Sequence, residues 1–279
     1  MTTPRIVFLD VDGTLIDHSQ RLAPSVTEAV RGARAAGHLM YLCTGRSRQE
    51  IPRTVTDIGF DGVISAGGGF TEIGDDLFAA HTMPADDLRT LVGFLEAEDV
   101  EYNLQAYDEV YPSKNLFERV RPLFEHDALR AQDAAASADM KRIEQRMAYR
   151  GPAPAEGIAK ATFFGTDQST FARVRDHLGN AFHVITGTIP WLGEAGGEVS
   201  LHGVNKGAAI AELVAHLGMT LDAAIGIGDS YNDLEMLQVC GVGIAMGNAD
   251  DTVKSYADEV TTDVLADGVW TAFRTHGLI

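Results

Sequence analysis

Short, continuous runs of apolar residues stand out near the start of the chain. Ile6–Leu9, Leu39–Cys43 and Gly62–Ser65 are each bounded by polar residues or glycine. Runs of this kind are typical of strands that are buried on both faces of a parallel sheet. Between the first two runs, residues 24–36 begin with proline and end just before Gly37, which predicts a helix. The alternation of strand and helix predicts a parallel α/β sheet with right-handed crossovers.

The same pattern returns near the C-terminus. An apolar helical face with the spacing i, i+3, i+4 and i+7 is formed by Ile210, Leu213, Val214 and Leu217. Asn205 is the predicted N-cap of that helix. Further apolar runs and helical patterns predict strands at 223–227 and 242–245, and helices at 231–239 and 265–276.

The middle of the chain is more polar. It contains an alternating strand at 102–105 and an alanine-rich helical stretch at 131–147. We therefore expect an α+β domain at 84–190, inserted into a Rossmann-like α/β core formed by residues 1–83 and 191–279.

The amino-acid composition disfavours some classes of function. Hydrophobic residues make up 45% and charged residues 22% of the 279 residues, which is typical of globular proteins. The net charge of −18 disfavours binding to nucleic acid or to an anionic membrane surface. An anionic substrate would need a local cation, and a bound metal would serve.

Cysteines and apolar segments bear on the compartment. Cys43 and Cys240 are the two cysteines, too few for a disulfide framework, and both lie among apolar residues, which indicates packing. The apolar runs are too short for a signal peptide or a membrane span, so we expect a cytoplasmic protein. The oligomeric state is left open.

Carboxylates follow the predicted strands. Asp10 and Asp12 come after the first strand, Thr44 after the second, and Asp229 and Asp233 after a strand of the C-terminal half. A parallel sheet brings such strand ends to one edge, where ligands bind. Four crowded carboxylates repel one another and need a cation, and oxygen ligands of this kind suit Mg²⁺.

These residue types also fit phosphoryl transfer. A carboxylate beside Mg²⁺ and a phosphate can attack phosphorus, which is the predicted role of Asp10. Asp12 can protonate the leaving oxygen and then activate water. Thr44 offers a hydroxyl group and Gly45 a bare N–H. Lys206 lies at a helix start, where the macrodipole disfavours a cation, so we expect a phosphoryl group nearby.

Four motifs carry a family resemblance: Asp10-Val-Asp-Gly-Thr-Leu15, Leu42-Cys-Thr-Gly-Arg46, Gly203-Val-Asn-Lys-Gly207 and Gly228-Asp-Ser-Tyr-Asn-Asp-Leu-Glu-Met236. With these motifs the chain resembles the haloacid dehalogenase-like phosphatase superfamily, and within it the Cof-type group. The interval from Thr44 to Lys206 is far longer than one core unit needs, whereas the interval from Asp10 to Thr44 is not. The large cap, of the C2 type, therefore falls in the second interval.

The resemblance implies a role for each matched position. Asp10 is the nucleophile and a Mg²⁺ ligand, Asp12 is the acid/base with its backbone carbonyl on the metal, and Asp229 is the third ligand. Asp233 acts on the metal through water. The residues implied in binding substrate or phosphate are Val11, Thr44, Gly45, Arg46, Lys206 and Asn232. Asn248 either borders the site or is only a turn residue.

One loop departs from the family. Relatives usually have an Asn-Gly pair after the third strand, whereas this chain has Ser65-Ala-Gly-Gly-Gly69. Substrate contacts implied for that loop are therefore in doubt.

Three functions are consistent with these features. The leading hypothesis is a Mg²⁺-dependent phosphatase of a small phosphorylated metabolite, a sugar phosphate, acting through an aspartyl-phosphate. The alternatives are a sugar phosphomutase and a catalytically idle metabolite-binding regulator. Both Asp10 and Asp12 are present, which argues against the regulator, because a binder needs no acid/base. In the predicted cap, a basic group of Lys141, Arg142, Arg146 and Arg150 either faces the anionic site or is a solvated helix face.

Overall fold

The computed structural model describes residues 4–17, 19–122, 144–186 and 192–279. The chain divides into two units. The first combines Met1–His81 with Gly203–Ile279, and the second is Thr82–His202.

The elements below are named in chain order. The strands are β1 (Ile6–Leu9), β2 (Leu39–Cys43), β3 (Gly62–Ser65), β4 (Phe70–Ile73), β5 (Asp76–Ala80), β6 (Glu101–Gln105), β7 (Val110–Pro112), β8 (Lys160–Phe164), β9 (Phe182–Ile185), β10 (Gly196–Leu201), β11 (Ala224–Gly228), β12 (Val242–Ala245) and β13 (Glu259–Val260). The α-helices are α1 (Pro24–Ala35), α2 (Arg53–Thr56), α3 (Ala85–Ala97), α4 (Thr170–Leu178), α5 (Lys206–His216), α6 (Leu234–Val239), α7 (Asp251–Ser255) and α8 (Gly268–Thr275). Residues 116–122 and 144–147 are also helical.

An eight-stranded sheet forms the first unit, in the order β13-β12-β11-β1-β2-β3-β4-β5. Neighbouring strands from β13 to β3 run parallel, whereas β4 and β5 are antiparallel additions. In β1, Val7 and Leu9 pack into a core with α1 and α8, while Ile6 and Phe8 pack into a second core with α5. This two-sided burial explains the continuous apolar run and confirms the predicted parallel α/β core.

Most predicted core elements are present, with shifts of boundary. The bounds of β1, β2, β3 and β12 match the predictions. The closing helix begins at Gly268 rather than at 265, because Asp267 has a left-handed φ of 58° that interrupts the pattern. Residues 231–239 divide into a 3₁₀ turn at Tyr231–Asp233 and helix α6. The β4–β5 hairpin was not predicted.

The second unit is built on a five-stranded antiparallel sheet in the order β7-β6-β8-β10-β9. One face of the sheet is apolar, with Leu104, Phe163 and Val199 packed in a core with helices α3 and α4. Apart from Phe164 and Gly196, the residues that alternate with these on β6, β8 and β10 are polar: Glu101, Asn103, Gln105, Lys160, Thr162, Glu198 and Ser200. The inserted α+β domain is therefore present as a separate unit.

The second crossing between the units lies later than predicted. Strand β10 pairs with β8 and β9, so it belongs to the inserted sheet, and the first unit resumes only at Gly203. The prediction placed this boundary between 190 and 191. Nothing local distinguishes β10 from a core strand, because strand pairing is decided by residues distant in sequence.

Part of the predicted cap lies outside the described residues. Of the predicted helix at 131–147, only 144–147 is described, and it is helical. Lys141 and Arg142 are outside the described residues, while the Arg150 guanidinium group pairs with Glu109. The orientation of the basic group toward an anionic site stays a prediction. Among the described helices, none has the length and apolar character that crossing a bilayer requires.

Candidate active site

The site lies at the C-terminal ends of two neighbouring parallel strands. Asp10 follows β1 and Asp229 follows β11, and the two strands pair with Leu9 beside Ile227. The Asp10 N–H donates to the Ile227 carbonyl at 3.0 Å, which extends the strand pairing to Asp10. One carboxylate oxygen from each of Asp10, Asp229 and Asp233 lies within 4.8 Å of the others. The sheet therefore brings together three of the four predicted metal ligands.

Lys206 is buried within this group of carboxylates. Its Nζ donates to Asp10 Oδ1 at 2.6 Å and to Asp233 Oδ1 at 2.5 Å, and its side chain has no exposed surface. Burial alone would lower the pKa of Lys206, but Asp10 and Asp233 outweigh burial and raise it, so the side chain stays charged.

The start of helix α5 fixes the position of Lys206. Lys206 is its first residue, and the preceding Asn205 accepts a hydrogen bond from the Ala208 N–H at 2.8 Å. This confirms the predicted N-cap. The helix start therefore holds the ammonium group against the carboxylates despite the unfavourable macrodipole.

The positive charge of Lys206 does not balance the negative charge of the surrounding carboxylates. Burial raises the pKa of Asp10 to about 7, with Asp233 and Asp12 adding to the effect and Lys206 opposing it. Burial and the neighbouring charges of Asp10 and Asp233 raise the pKa of Asp229 to about 9. One ammonium group thus does not offset three converging carboxylates, and a further cation would stabilise their charged forms.

The oxygen donors fit a divalent cation. Asp229 Oδ1 is buried and has no hydrogen-bond partner among the described residues. Burying an oxygen without a hydrogen-bond partner costs free energy. Coordination of that oxygen to a hard cation such as Mg²⁺ would remove this cost. The group of Asp10, Asp229 and Asp233 therefore has oxygen donors that fit a divalent cation, and metal binding there stays a prediction.

Asp233 organises the loop after β11. Its Oδ2 accepts the N–H groups of Asp229 and Ser230, each at 3.0 Å, while its Oδ1 accepts from Lys206. Both oxygens are therefore engaged by the protein. This arrangement is compatible with the implied contact through water.

The Asp12 carboxylate turns toward Arg46. Arg46 Nε donates to Asp12 Oδ2 and Nη2 donates to Asp12 Oδ1, both at 2.6 Å, in a two-pronged pair. Burial alone would raise the pKa of Asp12, but the Arg46 hydrogen bonds and charge outweigh burial and lower it. Arg46 Nη1 also donates to the Glu50 carbonyl at 2.7 Å. Arg46 thus contacts the acid/base candidate, and its predicted contact with substrate stays a prediction.

The remaining predicted residues lie around the same strand ends. Thr44 is buried, and its Oγ1 accepts the Arg46 N–H at 3.2 Å, with Gly45 between them. The Val11 carbonyl closes the loop after β1 by accepting the N–H groups of residues 15 and 16. Asn232 Oδ1 accepts from the Ser230 hydroxyl at 2.9 Å. Phosphate binding by these residues stays a prediction.

Two side chains at the site were missed or undecided. Gln20 lies beside the Asp12–Arg46 pair, where its Oε1 accepts from Arg46 Nη2 at 2.8 Å. Its left-handed φ of 60° carries no signal in the sequence. Asn248, for which two interpretations were open, donates to Asp229 Oδ2 at 3.2 Å and so borders the site.

The glycine-rich loop after β3 packs against the start of helix α5. A Cβ on Gly68 would lie 2.3 Å from the Asn205 carbonyl oxygen, and Gly68 has a φ of +105°. This glycine-rich loop thus supports the backbone that carries Lys206.

The similarity of this chain to known proteins identifies its family. Residues 7–273 match the family described as haloacid dehalogenase-like hydrolase. The chain belongs to this family and is a phosphoric monoester hydrolase by class. The resemblance inferred from the four motifs is confirmed.

Relatives match over nearly the whole chain. It is 24% identical over 281 residues to pyridoxal phosphate phosphatase YbhA of Escherichia coli, covering 98% of this chain and 99% of that protein. It is 27% identical over 271 residues to phosphoglycolate phosphatase of Methanothermobacter thermautotrophicus, covering 97% of each. A haloacid dehalogenase-like hydrolase from B. subtilis has the same fold, with a TM-score of 0.81, 23% identity and coverage of 98% of this chain and 99% of that one.

The Gly68 contact generates the first prediction. Gly68→Ala places a Cβ against the Asn205 backbone, and we expect it to lower the free energy of unfolding by about 1–3 kcal/mol from overpacking, in addition to the cost of a left-handed φ. Urea unfolding measures the loss.

Gly74→Ala is the matched control. Gly74 also has a positive φ, +62°, but a Cβ there would meet nothing within 4 Å. We expect Gly74→Ala to lower the free energy of unfolding only by the cost of the left-handed φ. Equal losses in the two variants would show that the close approach to Asn205 has no energetic weight.

Proposed function

We propose that this enzyme is a Mg²⁺-dependent phosphatase that hydrolyses a small phosphorylated metabolite through an aspartyl-phosphate on Asp10. The observation that carries the proposal is the buried group in which Lys206 bridges Asp10 and Asp233. Beside it lies Asp229 Oδ1, which has no hydrogen-bond partner in the part of the chain that the structure describes. A nucleophile, a buried cation and an oxygen suited to a metal are the parts that phosphoryl transfer requires.

In the first half-reaction, an Asp10 carboxylate oxygen attacks phosphorus and the bond from phosphorus to the leaving oxygen breaks. Mg²⁺, held by Asp10, Asp229 and the Asp12 carbonyl, would offset the negative charge of the phosphoryl group. Lys206 orients Asp10 and supplies positive charge as the transition state develops. Although Arg46 holds the pKa of Asp12 low, this step proceeds from the form in which Asp12 is protonated. Asp12 gives that proton to the leaving oxygen, so the product departs as an alcohol.

In the second half-reaction, water cleaves the aspartyl-phosphate. Asp12, now a carboxylate, takes a proton from the water as the water oxygen attacks phosphorus. The bond from phosphorus to the Asp10 oxygen breaks, which restores Asp10 as a carboxylate and Asp12 as an acid. Inorganic phosphate is the second product.

The narrower proposals concern the substrate and the compartment. We propose that the substrate is a sugar phosphate and that the inserted unit selects it. In support, Asn103 and its polar neighbours on the inserted sheet offer groups that hydrogen-bond hydroxyls, and Asn103 Oδ1 is buried without a partner among the described residues. The named relatives, phosphatases of pyridoxal phosphate and phosphoglycolate, support only a small phosphorylated substrate. The cytoplasm stays the predicted compartment.

Removal of the nucleophile tests the proposed reaction. With p-nitrophenyl phosphate and Mg²⁺, we expect phosphate release by the wild type and a loss on the order of a thousandfold or more for Asp10→Asn, because the amide is a poor nucleophile. The assay measures inorganic phosphate and p-nitrophenol.

Asp76→Asn, an exposed change in β5, is the control and should retain activity. Asp10→Asn with undiminished activity would rule out the covalent mechanism. In a panel of phosphorylated sugars, isomerised product without free phosphate would instead support the phosphomutase, and tight binding without turnover would support the regulator.

The Arg46 pair generates a prediction about leaving groups. Arg46→Lys replaces the two-pronged pair with a single ammonium group and leaves Asp12 less well oriented. For an alkyl phosphate, whose leaving oxygen needs a proton, we expect kcat/KM to fall about tenfold to a hundredfold. For p-nitrophenyl phosphate, whose leaving group departs as an anion, the decrease should be much smaller. Steady-state kinetics with both substrates measures the difference.

Arg48→Lys is the control, because Arg48 pairs with Glu72 rather than with Asp12. Arg48→Lys should lower kcat/KM only slightly, and by the same factor for both substrates. Equal decreases for the two substrates with Arg46→Lys would argue against orientation of a general acid.

The polar face of the inserted sheet generates a prediction about selectivity. Asn103→Ala should lower kcat/KM for the best sugar phosphate roughly two- to tenfold, the weight of one hydrogen bond. It should leave p-nitrophenyl phosphate nearly unaffected, since that molecule has no sugar hydroxyls. Asn180→Ala on the exposed surface is the matched control. An unchanged substrate ranking across the panel would remove Asn103 from substrate selection.

A further inference from the structure

Asn248 connects three loops of the first unit. It lies just after β12, and its Nδ2 donates to the Gly13 carbonyl at 2.9 Å in the loop after β1. Its Oδ1 accepts the Val264 N–H at 2.9 Å from the segment after β13. A residue that only formed a turn would bond within its own loop.

These contacts fix the orientation of the amide. The Val264 N–H can donate only to an acceptor, so the Asn248 oxygen must face Val264 and the nitrogen must face Gly13 and Asp229. A flipped amide would place two donors against each other on one side and two acceptors on the other. Asn248 therefore presents an N–H group to Asp229.

That N–H group engages one oxygen of Asp229 and not the other. Asn248 Nδ2 lies 3.2 Å from Asp229 Oδ2, whereas Oδ1 is the buried oxygen without a partner among the described residues. On its other side, Oδ2 rests against Gly13, where a Cβ would lie only 2.1 Å from it. The carboxylate is thus held through Oδ2, and Oδ1 is left for a ligand.

We propose that Asn248 is a positioning residue for the metal centre, which holds Asp229 Oδ2 so that Oδ1 is presented to a divalent cation. The inference rests on the proposed function, since it requires a cation at Asp229. It goes beyond the proposed function because Asn248 would touch neither the cation nor the substrate. An aspartate at this position would supply no N–H group and would add a negative charge beside Asp229.

Mg²⁺ binding without substrate tests the proposal. Calorimetric titration of the full chain with MgCl₂ should give a dissociation constant about ten- to a hundredfold higher for Asn248→Ala than for the wild type, the usual effect of losing a group that orients a metal ligand. Asn248→Asp should bind Mg²⁺ more weakly than the wild type for the same reason. Asn180→Asp, which adds the same charge on the exposed surface, should bind Mg²⁺ as the wild type does.

Two further readouts separate positioning from folding. Urea unfolding in EDTA reports whether the metal-free variants are folded, and the milder Asn248→Ser replaces any variant that is not. Activity of the folded variants should recover toward the wild-type kcat as Mg²⁺ is raised, because the reacting groups are intact.

The outcomes distinguish the two proposals. If the wild type binds Mg²⁺ and the folded Asn248 variants bind it equally well, the positioning role is overturned while the phosphatase proposal stands. If the wild type itself binds no Mg²⁺, the metal-dependent function fails, and the role of Asn248 fails with it.

Discussion

The Lys206 ammonium group, buried between Asp10 and Asp233, is the interaction on which the site depends. A buried charge is tolerated only when it is paired, and removing one partner of such a group is strongly destabilising. Lys206 comes from the start of a helix that follows the inserted unit, whereas Asp10 ends the first strand. The pairing therefore ties the two sequence halves of the core together, and Asn205 and Gly68 serve it by fixing the backbone next to Lys206.

The four acidic residues of the site lie in two different electrostatic environments. Asp10, Asp229 and Asp233 converge in a desolvated place where one ammonium group is not enough, so the geometry favours a cation. Asp12, two residues after Asp10, points its carboxylate to Arg46 instead. Asp10 pairs with Lys206 and Asp12 with Arg46, so the two neighbouring carboxylates lie in different electrostatic environments.

Much of the core and the site could be predicted from local sequence. Strands buried on both faces are continuous apolar runs, which is why the bounds of β1, β2, β3 and β12 were predicted correctly. Because parallel strands end at one edge, residues following them could be expected to meet, and Asp10, Asp229 and Asp233 do. The sequence also showed Lys206 at the start of a predicted helix, where the macrodipole disfavours a cation.

What the sequence alone determined is thus the parallel core, the acidic residues at its strand ends and the lysine opposite them, because these follow from periodicity and from rules about sheet edges. Only the tertiary structure decided that β10 joins the inserted sheet, that Arg46 grips Asp12, and that Asn248 holds one oxygen of Asp229. Each of these depends on which distant backbone or side-chain group stands within hydrogen-bonding distance. Sequence periodicity records which face of an element is buried, not which partner meets it there.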